Sequence, residues 1–79
     1  MEPAEAFGAT LRELRTAHGV SQERLALEVE LDRTYISMLE RGLRQPTLST
    51  LIALADFLGL TPGSLVDRTM TRMRKGTKR

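Results

Sequence analysis

Ser21-Gln22-Glu23-Arg24-Leu25-Ala26-Leu27-Glu28-Val29-Glu30-Leu31-Asp32-Arg33-Thr34-Tyr35-Ile36-Ser37-Met38-Leu39-Glu40-Arg41-Gly42 is the stretch that decides the fold. Its apolar residues recur at helical steps, first Leu25, Ala26 and Val29, then Tyr35, Ile36 and Leu39. Ser21 is a good N-cap for the first of these helices, and Asp32 reads as the N-cap of the second. Gly42 suits the residue just past a helix end. The pattern breaks near Glu30-Leu31, so the spacing predicts two helices of about eight residues joined by a turn of roughly three. Ala26 falls where two such helices approach most closely and a small side chain is needed. Leu31 plugs the turn, and Ile36 and Leu39 anchor the second helix from below. Leu27 is expected to be partly exposed. Arg33, Thr34, Ser37 and Met38 are left on the outer face.

Working outward, Phe7, Leu11, Leu14 and His18 form one face of a preceding helix, roughly residues 4 to 18. Pro3 suits its first turn and Gly19 its end. After a loop at 43–46, Thr47 caps a helix over roughly 48 to 58 that carries Leu48, Leu51, Ile52, Leu54, Ala55, Phe57 and Leu58. That helix is apolar over much of its circumference, so it is either central or offers a face to a partner. Gly59 ends it. Thr61-Pro62 opens a fifth helix, with Leu65 and Val66 able to pack back. Nothing alternates like a strand. The expected architecture is all-α, with five helices and the quoted pair in the middle.

A chain of 79 residues allows one small domain with modest stability. It has no cysteine, which excludes disulfides and thiolate metal sites. No apolar run reaches the roughly 18 residues that span a bilayer, and the acidic start, Glu2 and Glu5, is unlike a signal peptide. A cytoplasmic protein is expected. The net charge of +2 hides an asymmetry. Residues 1–67 hold six arginines against all ten acidic residues, whereas 68–79 hold Arg68, Arg72, Arg74, Lys75, Lys78 and Arg79 and no acid. The chain therefore divides into an expected domain, 1–67, and a basic tail, 68–79, a candidate for disorder. The tail reads either as an arm that adds phosphate contacts or as a solubilising end or segment boundary.

The central pair fits a helix-turn-helix, in which the second helix enters the major groove and its N-terminal residues reach base edges. The exposed residues suit that role. Arg33 can donate twice to guanine O6 and N7, Thr34 and Ser37 can bond bases or phosphates, and Met38 can pack on a thymine methyl. A solvated helix face shows the same residue types, so composition alone leaves both readings open.

With these residues in view, segment 7–60 resembles the Xre/Cro-like helix-turn-helix family, which includes phage repressors and restriction–modification controller proteins. The resemblance rests on Leu11-Arg12-Glu13-Leu14-Arg15, Gly19-Val20-Ser21-Gln22, Leu25-Ala26, Leu31 through Ser37, Leu39-Glu40-Arg41-Gly42, Pro46-Thr47-Leu48 and Leu58-Gly59. The run Asp32-Arg33-Thr34-Tyr35-Ile36-Ser37 is similar to that of the controller proteins. The resemblance implies a lambda-repressor-like fold and a sequence-specific regulator of transcription that binds double-stranded DNA as a homodimer. It implies that Gln22, Tyr35, Arg44 and Thr47 contact DNA phosphates, while Arg33, Thr34 and Ser37 match base-reading or nearby phosphate positions; Met38 joins the expected base contacts through its own chemistry on the outer face. Tyr35 keeps a second reading as a packing residue. The resemblance further implies an internal ion pair between Arg15 and Glu40. One departure stands out: Glu30 holds a turn position where many members carry glycine, at a cost of about 1 kcal/mol if the backbone there is left-handed.

No catalytic set emerges. His18 is the only histidine, so with no cysteine there is no transition-metal site to build around it. No enzyme activity, metal or cofactor is expected. A homodimer would read half-sites about 34 Å apart, or a multiple of it. Ile52, Phe57, Leu60, Leu65 and Val66 on the fourth and fifth helices are its candidate surface. The competing expectation is an antitoxin-like or other interaction module that uses those helices for a protein partner, with DNA secondary. No inducer domain fits in this length, so control by protein concentration is expected.

Overall fold

Glycine at position 8 sets how closely the first and third helices meet, and the rest of the fold builds around that contact. The computed structural model describes residues 1–76. Five helices follow one another: α1 (Pro3–Ala17), α2 (Gln22–Val29), α3 (Arg33–Glu40), α4 (Leu48–Leu58) and α5 (Pro62–Gly76). A Cβ on Gly8 would lie 2.3 Å from the Leu39 carbonyl oxygen and 2.6 Å from that of Glu40. Only glycine lets α1 touch the backbone at the end of α3.

The helix starts are built by hydroxyl caps. Ser21 Oγ accepts from the Arg24 N–H at 3.0 Å, Thr47 Oγ1 from Thr50 at 3.1 Å and Thr61 Oγ1 from Ser64 at 3.0 Å. Each satisfies one of the N–H groups that a helix start leaves without an acceptor. Asp32 occupies the N-cap of α3 as expected, but its side chain makes no capping hydrogen bond. Glu30, with φ 58° and ψ 45°, is the one non-glycine residue in the left-handed region among those described. The turn is closed by the Leu31 N–H donating to the Ala26 carbonyl at 2.8 Å.

Leu11, Leu25, Ile36, Leu39, Leu54 and Leu65 are fully buried. Phe7, Ala26, Ala55 and Leu58 complete the core, and Leu14, Val29, Leu31, Tyr35 and Phe57 pack at its edge. His18, which continues the apolar spacing of α1 and is expected to pack or cap at its end, does both. It lies exposed at the C-cap, its ring 5.7 Å from that of Phe57. The step from Leu14 to His18 runs past the end of the core, so periodicity continues where burial does not.

α5 runs without a break across residue 67, where the domain was expected to end. It packs on α1, with Arg72 Nε donating to Thr10 Oγ1 at 3.1 Å and Arg72 pairing with Glu13. Basic residues 68–75 are therefore helical. The expectations for Lys78 and Arg79 lie outside the described residues.

Candidate nucleic-acid interface

α3 carries two kinds of residue on opposite sides. Ile36 and Leu39 are fully buried beneath it. Arg33 and Thr34 are exposed at its first turn, and Ser37 and Met38 are half-buried one turn later. At 100° per residue these four side chains cover roughly 140° of the helix circumference. The width suits a helix that sits in a groove, and the buried side fixes its rotation.

The flanks of that face hold the other expected DNA contacts. Arg44, in the loop after α3, holds its guanidinium 5.7 Å from the centroid of the Tyr35 ring. Tyr35 is half-buried, so it both packs on the core and presents its ring to that cation. Thr47 spends its hydroxyl on α4, accepting from Thr50 N–H and donating to Thr50 Oγ1 at 3.0 Å. Gln22, the first residue of α2, is half-buried, and its Nε2 donates to Glu40 Oε1 at 2.9 Å.

Glu40 joins three helices. Its carboxylate, fully buried, accepts from Arg15 Nε at 2.6 Å and Arg15 Nη2 at 3.1 Å, and Arg12 Nε lies 3.5 Å away. Arg15 also donates from Nη1 to the Val20 carbonyl at 2.8 Å, pinning the loop before α2. Burial pushes the Glu40 carboxyl up. Hydrogen bonds from Arg15, Gln22 and Arg12 and the charge of Arg15 outweigh it and hold the group below its ordinary value. Among the described residues, no buried side-chain nitrogen or oxygen lacks a hydrogen-bond partner.

The five expected dimer residues do not share one environment. Ile52 is 50% exposed and Val66 39% exposed, whereas Phe57 and Leu60 are half-buried. Leu65 is 0% exposed and belongs to the core, which corrects its expected place on the dimer surface. Adjacent helical residues point about 100° apart, and sequence alone did not say which of Leu65 and Val66 turned inward. Sequence reasoning also missed Met70, 46% exposed and one turn beyond Val66, which the i, i+4 step would have found. It missed Gly8 too. A lone glycine inside a helical pattern costs about 1 kcal/mol against alanine, which is the signal that packing demands it.

Among the described residues no cluster of His, Cys, Asp and Glu is placed to hold a metal ion. Nor, among the described residues, is any single helix long and apolar enough to cross a membrane.

Comparison with known proteins converges on the same geometry. A family model described as helix-turn-helix matches residues 11–65. Control protein C.BamHI of Bacillus amyloliquefaciens is 42% identical over 64 residues, which cover 80% of this chain and 79% of that protein. Among solved structures, the restriction-modification controller protein C.AhdI of Aeromonas hydrophila is 47% identical. It covers 78% of this chain and 94% of its own, with a TM-score of 0.75. The clp gene regulator ClgR of Corynebacterium glutamicum is 28% identical, covers 96% of this chain and 81% of its own, and reaches a TM-score of 0.90.

Proposed function

The chain belongs to the helix-turn-helix family, and from that premise we propose that it reads a specific duplex operator through the major groove as a homodimer. It is a DNA-binding regulator of transcription, in keeping with relatives that are controller proteins and gene regulators. It acts by occupancy: bound near a promoter, it blocks or recruits polymerase. It is a binding protein rather than a catalyst, and it works in the cytoplasm, beside the DNA it reads.

The observation that supports this reading most is the two-sidedness of α3. Arg33 and Thr34 are exposed, and Ser37 and Met38 half-buried, on one side, while Ile36 and Leu39 lock the other. In our reading Arg33 takes a guanine edge, Thr34, Ser37 and Met38 complete the base contacts, and Gln22, Tyr35, Arg44 and Thr47 grip phosphates, Thr47 by turning its hydroxyl hydrogen from Thr50 Oγ1 to the phosphate oxygen. The dimer surface draws on Ile52 and Val66, joined by Met70, because these apolar side chains remain exposed after the monomer has folded. Occupancy follows total protein concentration without a small-molecule effector.

Sedimentation equilibrium of the wild type and of Ile52→Asp, with and without a duplex enriched from a random pool, tests the assembly. The reading expects a wild-type dimer and a monomeric variant with strongly weakened operator binding. An Ile52→Asp variant that still dimerises, or a wild type that binds as a monomer, would overturn it.

A further inference from the structure

The Gln22–Glu40 hydrogen bond crosses from the start of α2 to the end of the proposed reading helix. We propose that Glu40 is a positioning residue for DNA binding, acting through Gln22 by fixing which way its amide faces. The inference rests on the phosphate role of Gln22 in the proposed function.

An ionised carboxylate only accepts hydrogen bonds, whereas an amide has a donating NH2 and an accepting oxygen. Glu40 Oε1, 2.9 Å from Gln22 Nε2, therefore forbids the flipped amide. One Nε2 hydrogen is used, and the second remains. A phosphate oxygen is also only an acceptor, so it too needs the NH2 end. With the flip fixed in advance, a phosphate at the start of α2 meets a donor in every molecule. Without Glu40 the amide could present its oxygen, which repels the phosphate.

Two further features make the device workable. Glu40 would itself repel a phosphate were it unneutralised, but Arg15 is bonded to it and Arg12 lies 3.5 Å away with its side chain 62% exposed. The trio carries a net positive charge beside α2. In addition, Ser21 caps Arg24 N–H, and the Leu25 N–H bonds the Ser21 carbonyl. The earlier N–H groups of Gln22 and Glu23 have no intrahelical acceptor. The Gln22 side chain and the α2 start thus offer donors to one anion, and Glu40 ties both to α3.

Operator affinity and its salt dependence are measured for wild type, Gln22→Ala, Glu40→Asp and the double variant. Glu40→Asp keeps the charge for Arg15 but withdraws the carboxylate from Gln22 by one methylene. Gln22→Ala should weaken binding about tenfold per half-site, the size of one charge-assisted hydrogen bond, and Glu40→Asp about twofold, because it lowers only the fraction of molecules whose amide faces the right way. Because Gln22 is neutral and Glu40→Asp keeps its charge, neither substitution should change the salt slope, which counts the charged side chains that neutralise phosphates. In the Gln22→Ala background, Glu40→Asp should leave the affinity unchanged. A purely structural Glu40 would instead lose the same affinity in both backgrounds, and that result overturns the inference while leaving the phosphate role of Gln22 intact. If Gln22→Ala itself changes nothing, the phosphate role fails and the inference falls with it. A further readout uses the wild type alone, so it survives a Glu40→Asp variant that does not fold. The two side-chain amide protons of Gln22 should be well separated in the nitrogen-edited spectrum and exchange more slowly than those of exposed Gln45. Equivalent behaviour of the two amides would overturn the inference.

Discussion

Arg15 grips Glu40 through two nitrogens, Nε at 2.6 Å and Nη2 at 3.1 Å, and so joins the last turn of α1 to the last residue of α3. The pair is partly desolvated: the Glu40 side chain is fully buried and that of Arg15 is 15% exposed. A pair of this kind is not a large source of net stability, but losing one partner leaves a charge that is costly to bury alone, about 3–5 kcal/mol in fully buried cases. Its position explains why it is present. The same carboxylate holds Gln22, so one group sets α1, α2 and α3 relative to each other.

Protonating that carboxylate has the same effect as removing its charge. Its folded value lies below its ordinary one, so the unfolded chain takes up the proton first. The stabilisation is therefore complete above the ordinary glutamate range, about 4.3, and is lost as pH falls through the lower folded value. Urea denaturation of wild type and Glu40→Gln across pH 3 to 7 checks this. The wild type should lose its advantage over the variant at the acid end. Parallel curves for the two proteins over the whole range would contradict it.

Gly8→Ala should destabilise the domain by about 1–3 kcal/mol or more, because the added carbon meets backbone oxygens of Leu39 and Glu40 that cannot rotate away. Helix propensity alone predicts the opposite sign, a gain of about 1 kcal/mol. Thermal denaturation followed by circular dichroism separates the two effects. A higher melting temperature in Gly8→Ala would mean that α1 does not need its close approach to α3.

Glu30→Gly should act in the other direction. The left-handed conformation at Glu30 costs a side-chain-bearing residue about 1–2 kcal/mol, while glycine's extra unfolded freedom takes back about 0.5–1 kcal/mol. Glu30 is exposed, so little packing is lost. The melting temperature should rise by about 2–5 °C for a domain of this size. A fall would show that the turn gains more from the glutamate than its backbone costs.

Much of this arrangement was legible in the sequence because it depends on local rules. Ser21, Thr47 and Thr61 announce helix starts through hydroxyls that cap, and Gly42 and Gly59 mark helix ends. The spacing of Leu25, Ala26, Ile36 and Leu39 carries the central pair. Even the strained turn was visible, as a glutamate where related sequences carry glycine. What was not legible depends on contacts between distant segments. Leu65 and Val66 are equally apolar, and only the packing of α5 decides that Leu65 is core. Thr10 and Glu13 receive Arg72 from 62 and 59 residues away, so nothing local marks where α5 continues. Gln22 was expected to face DNA, but its bond to Glu40 is a long-range relation that no periodicity encodes.

The central claim is that the outer face of α3 reads bases, and the most direct test is selection from a random duplex pool at about 0.15 M salt with wild type and Arg33→Ala in parallel. The account predicts a two-fold symmetric motif for the wild type. In the variant, preference should relax at one position per half-site, a loss of roughly 1–3 kcal/mol there. Failure of either protein to enrich a motif, or one motif equally sharp with both, would contradict it.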